Sequence, residues 1–161
     1  RFSHAKGMVR AGRIAARLVE MGMIGLRWYL AGYGDEASLR REIAAHGMEE
    51  HVVILGKKAN PYPYMAACGL YVQPSRYEGK AVAVREAQIL GRPVAITRFP
   101  TASGHLEDGV DGVIVPNDEE GAAQALFSLL HDPARLESLA AACRARDYGN
   151  RDEILKLEAL V

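Results

Sequence analysis

Five short apolar runs spaced by helical periods constrain this chain more than any other feature. Leu26-Arg27-Trp28-Tyr29-Leu30-Ala31, Val52-Val53-Ile54-Leu55, Leu70-Tyr71-Val72-Gln73, Pro93 to Thr97 and Gly112 to Val115 are of strand length and rich in β-branched and aromatic residues. Before and between them apolar residues recur every three or four positions. Met8, Ala11, Ile14, Ala15, Leu18 and Met21 mark a first helix stopped by Gly22, and Leu39 and Ile43 a second closed by Gly47. Asn60 and Pro61 read as the N-cap and first position of a short helix, and Ala81 to Leu90 as a longer one stopped by Gly91. Ala122 to Leu130, Pro133 to Cys143, and Ile154, Leu157 and Leu160 continue the helical spacing. Strands alternating with helices through short connections predict a parallel sheet covered on both faces, with nearly continuous apolar strands. The first helix has no strand before it. That pattern predicts one α/β domain over residues 1–161, belonging to a longer protein whose first strand and partner domain lie upstream.

Charge and composition narrow the function classes. Twenty basic and twenty acidic residues cancel, so no net field points toward nucleic acid or an anionic membrane. No apolar run approaches the ~20 residues that span a bilayer, and no secretory signal is visible. Cys68 and Cys143 are too few and too far apart for a disulfide framework or zinc site, which suits reduced thiols in a cytoplasmic protein. His4, His46, His51, His105 and His131 never fall at metal-ligand spacing, and no metal site is expected.

In open parallel sheets ligands bind at the carboxyl ends of the strands. Here those ends are Gly32-Tyr33-Gly34, Gly56-Lys57-Lys58 and Pro74-Ser75-Arg76-Tyr77-Glu78-Gly79. The third leads directly into a helix. Unpaired backbone N–H groups around Lys80, Ala81, Val82 and Ala83 would make an anion site, and Gly79 lets the backbone come close to a ligand. Glu86, about a turn inside the helix, could accept both hydroxyls of a ribose. On spacing alone, Glu78 as a helix-start charge and Glu86 as a solvated residue is an equally good reading.

The resemblance that separates these readings lies in the surrounding residues. Glu78, seven intervening residues and Glu86 match the E-x7-E motif of retaining glycosyltransferases, particularly glycosyltransferase family 4. Tyr71-Val72-Gln73-Pro74-Ser75 resembles the strand and Pro-Ser before that motif. Glu86-Ala87-Gln88-Ile89-Leu90-Gly91-Arg92-Pro93-Val94 resembles the helix end and strand after it. Arg1 to Gly7 resembles the family's Arg-to-Lys-Gly segment. The resemblance implies a Rossmann-like sheet sandwiched by helices, one half of a two-domain GT-B enzyme. It also implies roles. Arg1 and Lys6 would meet the donor diphosphate, Glu86 the ribose, Glu78 with the Gly79, Lys80, Ala81 and Val82 backbone the sugar and adjacent phosphate, and the Gly56 loop the base. The partners implied are a UDP- or GDP-linked sugar and an N-terminal acceptor-binding domain, which would also carry any peripheral membrane contact. No separate cofactor is expected. Lys80-Ala81 stands where many relatives have Phe-Gly, and Phe99-Pro100-Thr101-Ala102-Ser103-Gly104 departs from the paired glycines common in the next loop. Both departures bear on the donor sugar more than on the nucleotide.

Cleaving a nucleotide sugar leaves negative charge on the diphosphate, which fixed cations and a helix N-terminus stabilise without reorganising. In that chemistry Glu78 and Glu86 are binders, not the acid and base of a glycoside hydrolase. A rival reading keeps the nucleotide site and removes the transfer. Gly32-Tyr33-Gly34 suggests a dinucleotide oxidoreductase, yet it lacks a third glycine leading into a helix. A nucleotide-sugar epimerase of the same fold fits the Glu78 to Pro93 context poorly.

Overall fold

The computed structural model describes residues 2–149. Five strands and six helices alternate along them. Helix α1 (Arg10–Glu20) is followed by β1 (Trp28–Ala31), α2 (Glu36–Ala45), β2 (Val52–Gly56), α3 (Tyr62–Ala67) and β3 (Tyr71–Gln73). Next come α4 (Val82–Ile89), β4 (Val94–Thr97), a 3-10 turn over Ala102–Gly104, β5 (Val113–Val115), α5 (Glu119–Leu130) and α6 (Pro133–Ala145). Three helix starts are fixed by aspartates. Asp35, Asp118 and Asp132 accept hydrogen bonds from the backbone N–H groups of Ser38, Gly121 and Arg135. Asn60 does the same for Tyr62, so α3 begins one residue later than the Asn-Pro pair suggests, with Pro61 just outside it. The helical spacing of Ile154, Leu157 and Leu160 lies outside the described residues.

All strand pairs are parallel, as the alternation predicts, but they form two ladders and not one continuous sheet. Trp28 to Ala31 pair with Val52 to Gly56, while β3, β4 and β5 lie side by side in that order. The N-terminal segment runs between the carboxyl ends of the two ladders. Phe2 forms a parallel bridge with Gly34 beyond β1, and the Ala5 carbonyl accepts from the backbone N–H groups of Arg76 (2.8 Å) and Tyr77 (3.3 Å) beyond β3. Two glycines permit this approach. Gly7 has φ +64°, and a Cβ there would lie 1.8 Å from the Pro74 carbonyl oxygen. Gly34 has φ +133°, and its Cβ would lie 2.3 Å from the Phe2 oxygen.

The apolar pattern divides into three packed clusters. Ala11 and Ala15 of α1 meet Leu30, Leu39, Ile43 and Val52 on one side. Ile14 and Leu18, from the same helix, meet Ala95, Val115, Leu126 and Leu139 on the other, with Trp28 and Val72 flanking. Helix α1 thus joins both ladders. The third cluster, Met65, Val84, Val94, Ile96, Phe99 and Leu106, lies under α3 and α4. Arg10 is the unexpected member of this interior. Its guanidinium, 1% exposed, donates to Glu119 and to the side chain and carbonyl of Asn117, tying α1 to the start of α5. Burial pulls its pKa down from the ordinary value while Glu119 pushes it up.

Candidate functional site

Lys6 and Glu78, 72 positions apart in sequence, meet at the carboxyl end of β3. The Lys6 ammonium lies 2.7 Å from one Glu78 carboxylate oxygen and 2.5 Å from the other. The turn after β3 carries Glu78, and the Gly7–Pro74 contact brings the Lys6 backbone against that same turn. The two ends of the pair differ in access. The Glu78 side chain is 3% exposed and the Lys6 side chain 33%. Facing solvent, the site therefore presents the cation, with the anion behind it. Glu78 is held further from within. Its Oε1 also accepts from Gln73 Nε2 (2.9 Å) and Ser75 Oγ (2.6 Å), and its carbonyl accepts from Thr101 Oγ1.

Helix α4 starts beside this pair with an open N-terminus. Its N-cap is Ala81, no side chain caps it, and its first turn carries no acidic residue, so its partial positive charge is unneutralised locally. Gly79 and Lys80 are exposed ahead of it, and a Cβ on Gly79 would meet nothing within 4 Å. Ala81 is 5% exposed and packs into the core, whereas Val82 is 54% exposed. One turn on, the Glu86 carboxylate accepts from the Tyr62 hydroxyl of α3 at 3.0 Å. Glu86 in turn raises the Tyr62 pKa. Burial, reinforced by the charges of Glu86 and Glu78, raises the Tyr71 pKa well above the ordinary phenol value.

The carboxyl ends of β1 and β2 are more open. Gly56 closes β2 with φ +70° and open space around it. Lys57 lies 5.5 Å from the centre of the Tyr33 ring, and Lys58 5.5 Å from that of Tyr64. Lys6, Glu78, Gly79, Lys80, Ala81, Val82 and Glu86 thus gather at one end of β3, with Gly56 at the neighbouring ladder, while Arg1 lies outside the described residues. Sequence reasoning passed over Tyr62, Gln73 and Thr101. Gln73 alone carried a signal, a polar side chain closing an otherwise apolar strand. Among the described residues no group of three His, Cys, Asp or Glu side chains could hold a metal ion. A recess of about 450 Å³ opens elsewhere, between α1, α2 and α5. Its walls mix Arg13 and Arg17 with Glu20, Asp118, Glu119 and Glu120, so it presents no single charge to a ligand.

Comparison with known proteins gives this arrangement a family. The profile described as glycosyl transferases group 1 matches residues 1–132. The chain belongs to that family. It is 31% identical over 144 residues to alpha-D-kanosaminyltransferase of Streptomyces kanamyceticus, covering 87% of this chain and 37% of that enzyme. The lipopolysaccharide core biosynthesis glycosyltransferase LpsE of Rhizobium meliloti is 28% identical over 134 residues, 82% of this chain and 38% of its own length. This member of the glycosyl transferases group 1 family therefore spans little more than a third of these curated relatives. Its fold superposes on Anabaena HepE, solved in complex with UDP, with a TM-score of 0.82 and 22% identity over 100% of this chain and 47% of that one. The fold is that of one half of a GT-B glycosyltransferase. No helix among the described residues is long and apolar enough to cross a membrane.

Proposed function

We propose that this chain is the donor-binding half of a retaining glycosyltransferase that moves a hexose from a UDP- or GDP-linked donor to an acceptor during assembly of a bacterial surface polysaccharide or glycoconjugate. The observation that carries the reading is the Lys6 ammonium, fixed on a buried Glu78 beside the uncapped start of α4. A cation and a helix N-terminus at one spot form a ready diphosphate site, and they match charge as it develops on the leaving group. Arg1 would add a second cation. Glu86 would take the ribose hydroxyls in place of Tyr62, and the open loop at Gly56 would receive the base. Glu78 and the Gly79 to Val82 backbone would border the sugar. The relatives named for lipopolysaccharide core and kanosaminyl transfer, and the UDP complex of HepE, support this reading.

The site is an open face, which suits one wall of a cleft whose other wall, with the acceptor, comes from a second domain. On this reading the 161-residue chain alone transfers nothing, and the whole enzyme works in the cytoplasm, where nucleotide sugars are made. The separation of the β1–β2 and β3–β5 ladders also suits a further strand between them, supplied by the longer protein. A thermal-shift panel of UDP, GDP, ADP and their sugar conjugates on the whole enzyme tests the reading. A ligand at 100 times its Kd stabilises by about 2.7 kcal/mol. Selective stabilisation by one nucleotide, lost in Glu86→Ala, is the expected outcome. Stabilisation by a nucleotide without turnover of any sugar conjugate would leave a binding module and remove the transferase.

A further inference from the structure

Behind the Lys6–Glu78 pair lies a chain of polar side chains that the family relationship does not explain. Tyr71 and Gln73 are alternate residues of β3, so their side chains emerge on the same side of the strand, and Ser75 follows two residues on. The Tyr71 hydroxyl donates to Gln73 Oε1 at 2.7 Å. Gln73 Nε2 lies within donating distance of both Ser75 Oγ, at 2.8 Å, and Glu78 Oε1, at 2.9 Å. Ser75 Oγ donates its own hydrogen to that same carboxylate oxygen at 2.6 Å. Gln73 and Ser75 are 4% and 0% exposed.

The direction of every hydrogen in this chain follows from its last member. A carboxylate only accepts, so Ser75 and Gln73 must donate to it, and Ser75 then accepts from Gln73. Flipping the Gln73 amide would press its carbonyl against the carboxylate, so Oε1 is left to receive the Tyr71 hydroxyl. The phenol, its pKa raised by burial, retains that proton. Backbone support comes from Thr97, whose hydroxyl donates to the carbonyls of Ser75 and Gln73. Burying such a chain costs desolvation, and a strand end built wholly of apolar residues would fold at least as well. Stability alone therefore gives no account of the chain as a whole.

We propose that Gln73 and Ser75 are positioning residues. They fix the Glu78 carboxylate in one orientation and so hold the Lys6 ammonium where the diphosphate of the donor is met. This rests on the donor-site reading above. The chain touches no ligand and acts through Glu78 and Lys6, so its loss weakens recognition of the diphosphate and spares recognition of the nucleoside.

The test compares Gln73→Met and Ser75→Ala with wild type in the whole enzyme, by calorimetric titration with UDP, GDP and the two nucleosides, uridine and guanosine. Gln73→Met keeps the volume and removes both donors. The expected result is about tenfold weaker binding of whichever diphosphate the wild type takes, with nucleoside affinity within about twofold, the loss of one charge-assisted hydrogen bond being of this order. Gln73→Glu, which sets a second carboxylate against the first, should lose more. Equal diphosphate affinity in wild type and Gln73→Met would overturn the positioning role while leaving the donor site standing. Parallel loss of nucleoside and diphosphate affinity would also overturn it, since that is general loosening of the fold. Wild type that binds neither diphosphate overturns the donor-site reading and this inference with it.

Discussion

The two ladders of this domain are built from the same strand-helix units and finish differently. In the β3–β5 ladder, β4 is buried throughout, with Val94, Ala95 and Ile96 all 0% exposed. Its carboxyl end carries a carboxylate whose every contact is accounted for. In the β1–β2 ladder, Tyr29 is 55% exposed in mid-strand, Ala31 is exposed, and the end of β2 opens into lysines lying over tyrosines. Under the proposed donor site, the contrast suits a division of labour between a half that fixes charge and a half that adapts to a shape. Diphosphate chemistry needs a cation placed to fractions of an ångström, whereas a planar base can be received by a looser wall.

Stability is the most direct way to break this contrast. Ile96→Ala, in the fully buried strand, should cost about 2–5 kcal/mol, while Tyr29→Ala should stay within about 0.5 kcal/mol. Urea unfolding of the two variants measures both. Comparable losses would mean that the β1–β2 face is covered in solution and that the two halves are equally rigid. The next largest effect concerns the charge itself. Under the donor-site reading, Lys6→Met in the whole enzyme should lower the rate of sugar transfer by about 10²–10³-fold, as removal of one preorganised charge-stabilising donor does elsewhere. Lys57→Met, on the adaptable half, should change it by less than about tenfold, because an exposed cation over a ring contributes only about 0.5–1 kcal/mol. Initial rates with the donor found in the nucleotide panel would compare the two.

How far the sequence revealed these halves depends on the range of the interaction concerned. The order of the five strands and their helices was legible because apolar periodicity is local. The break between ladders was not, since strand pairing is decided by segments far apart in sequence. The gathering of Lys6 and Glu78 was suggested by family resemblance alone. Spacing could not have done it, because the contact depends on Gly7 meeting Pro74 across the fold. Gln73 and Tyr62 were passed over because strand and helix periodicity classify a residue by its neighbours in sequence. Their partners, Glu78 and Glu86, are met only in three dimensions. Arg10 shows the same limit. A basic residue on the first helix reads as solvated until Asn117 and Glu119 arrive from more than a hundred residues away.

Acid should find the β3–β5 half first. His105, tilted against Phe99 with ring centres 5.7 Å apart, has its pKa lowered below 6.5 chiefly by burial, with nearby Arg85 adding to this and Glu78 opposing it. A histidine neutral in the fold takes its proton more readily when unfolded. Its contribution is therefore fully present above pH ~6.5 and declines as pH falls below that value. Melting temperatures between pH 7.5 and 5 should fall more steeply in wild type than in His105→Gln. Parallel slopes would show that the loop around His105 admits water freely, and that this half is less closed than its strands.

The smallest effect is expected at Tyr62, between the two halves. Tyr62, on the helix that leads from β2 to β3, donates to Glu86 at 3.0 Å and is 45% exposed. Under the donor-site reading, ribose hydroxyls must displace that phenol before Glu86 can receive them. An exposed hydrogen bond stabilises by no more than about 0.5–1.5 kcal/mol, toward the lower end in water. Tyr62→Phe should therefore tighten nucleoside diphosphate binding by about two- to fivefold. In a Glu86→Ala background the same change should do nothing, because no carboxylate remains to be freed. Weaker binding in Tyr62→Phe would instead place the hydroxyl on the ligand. Tyr62 would then be a built contact, and the adaptable half would begin no closer to the ribose than the Gly56 loop.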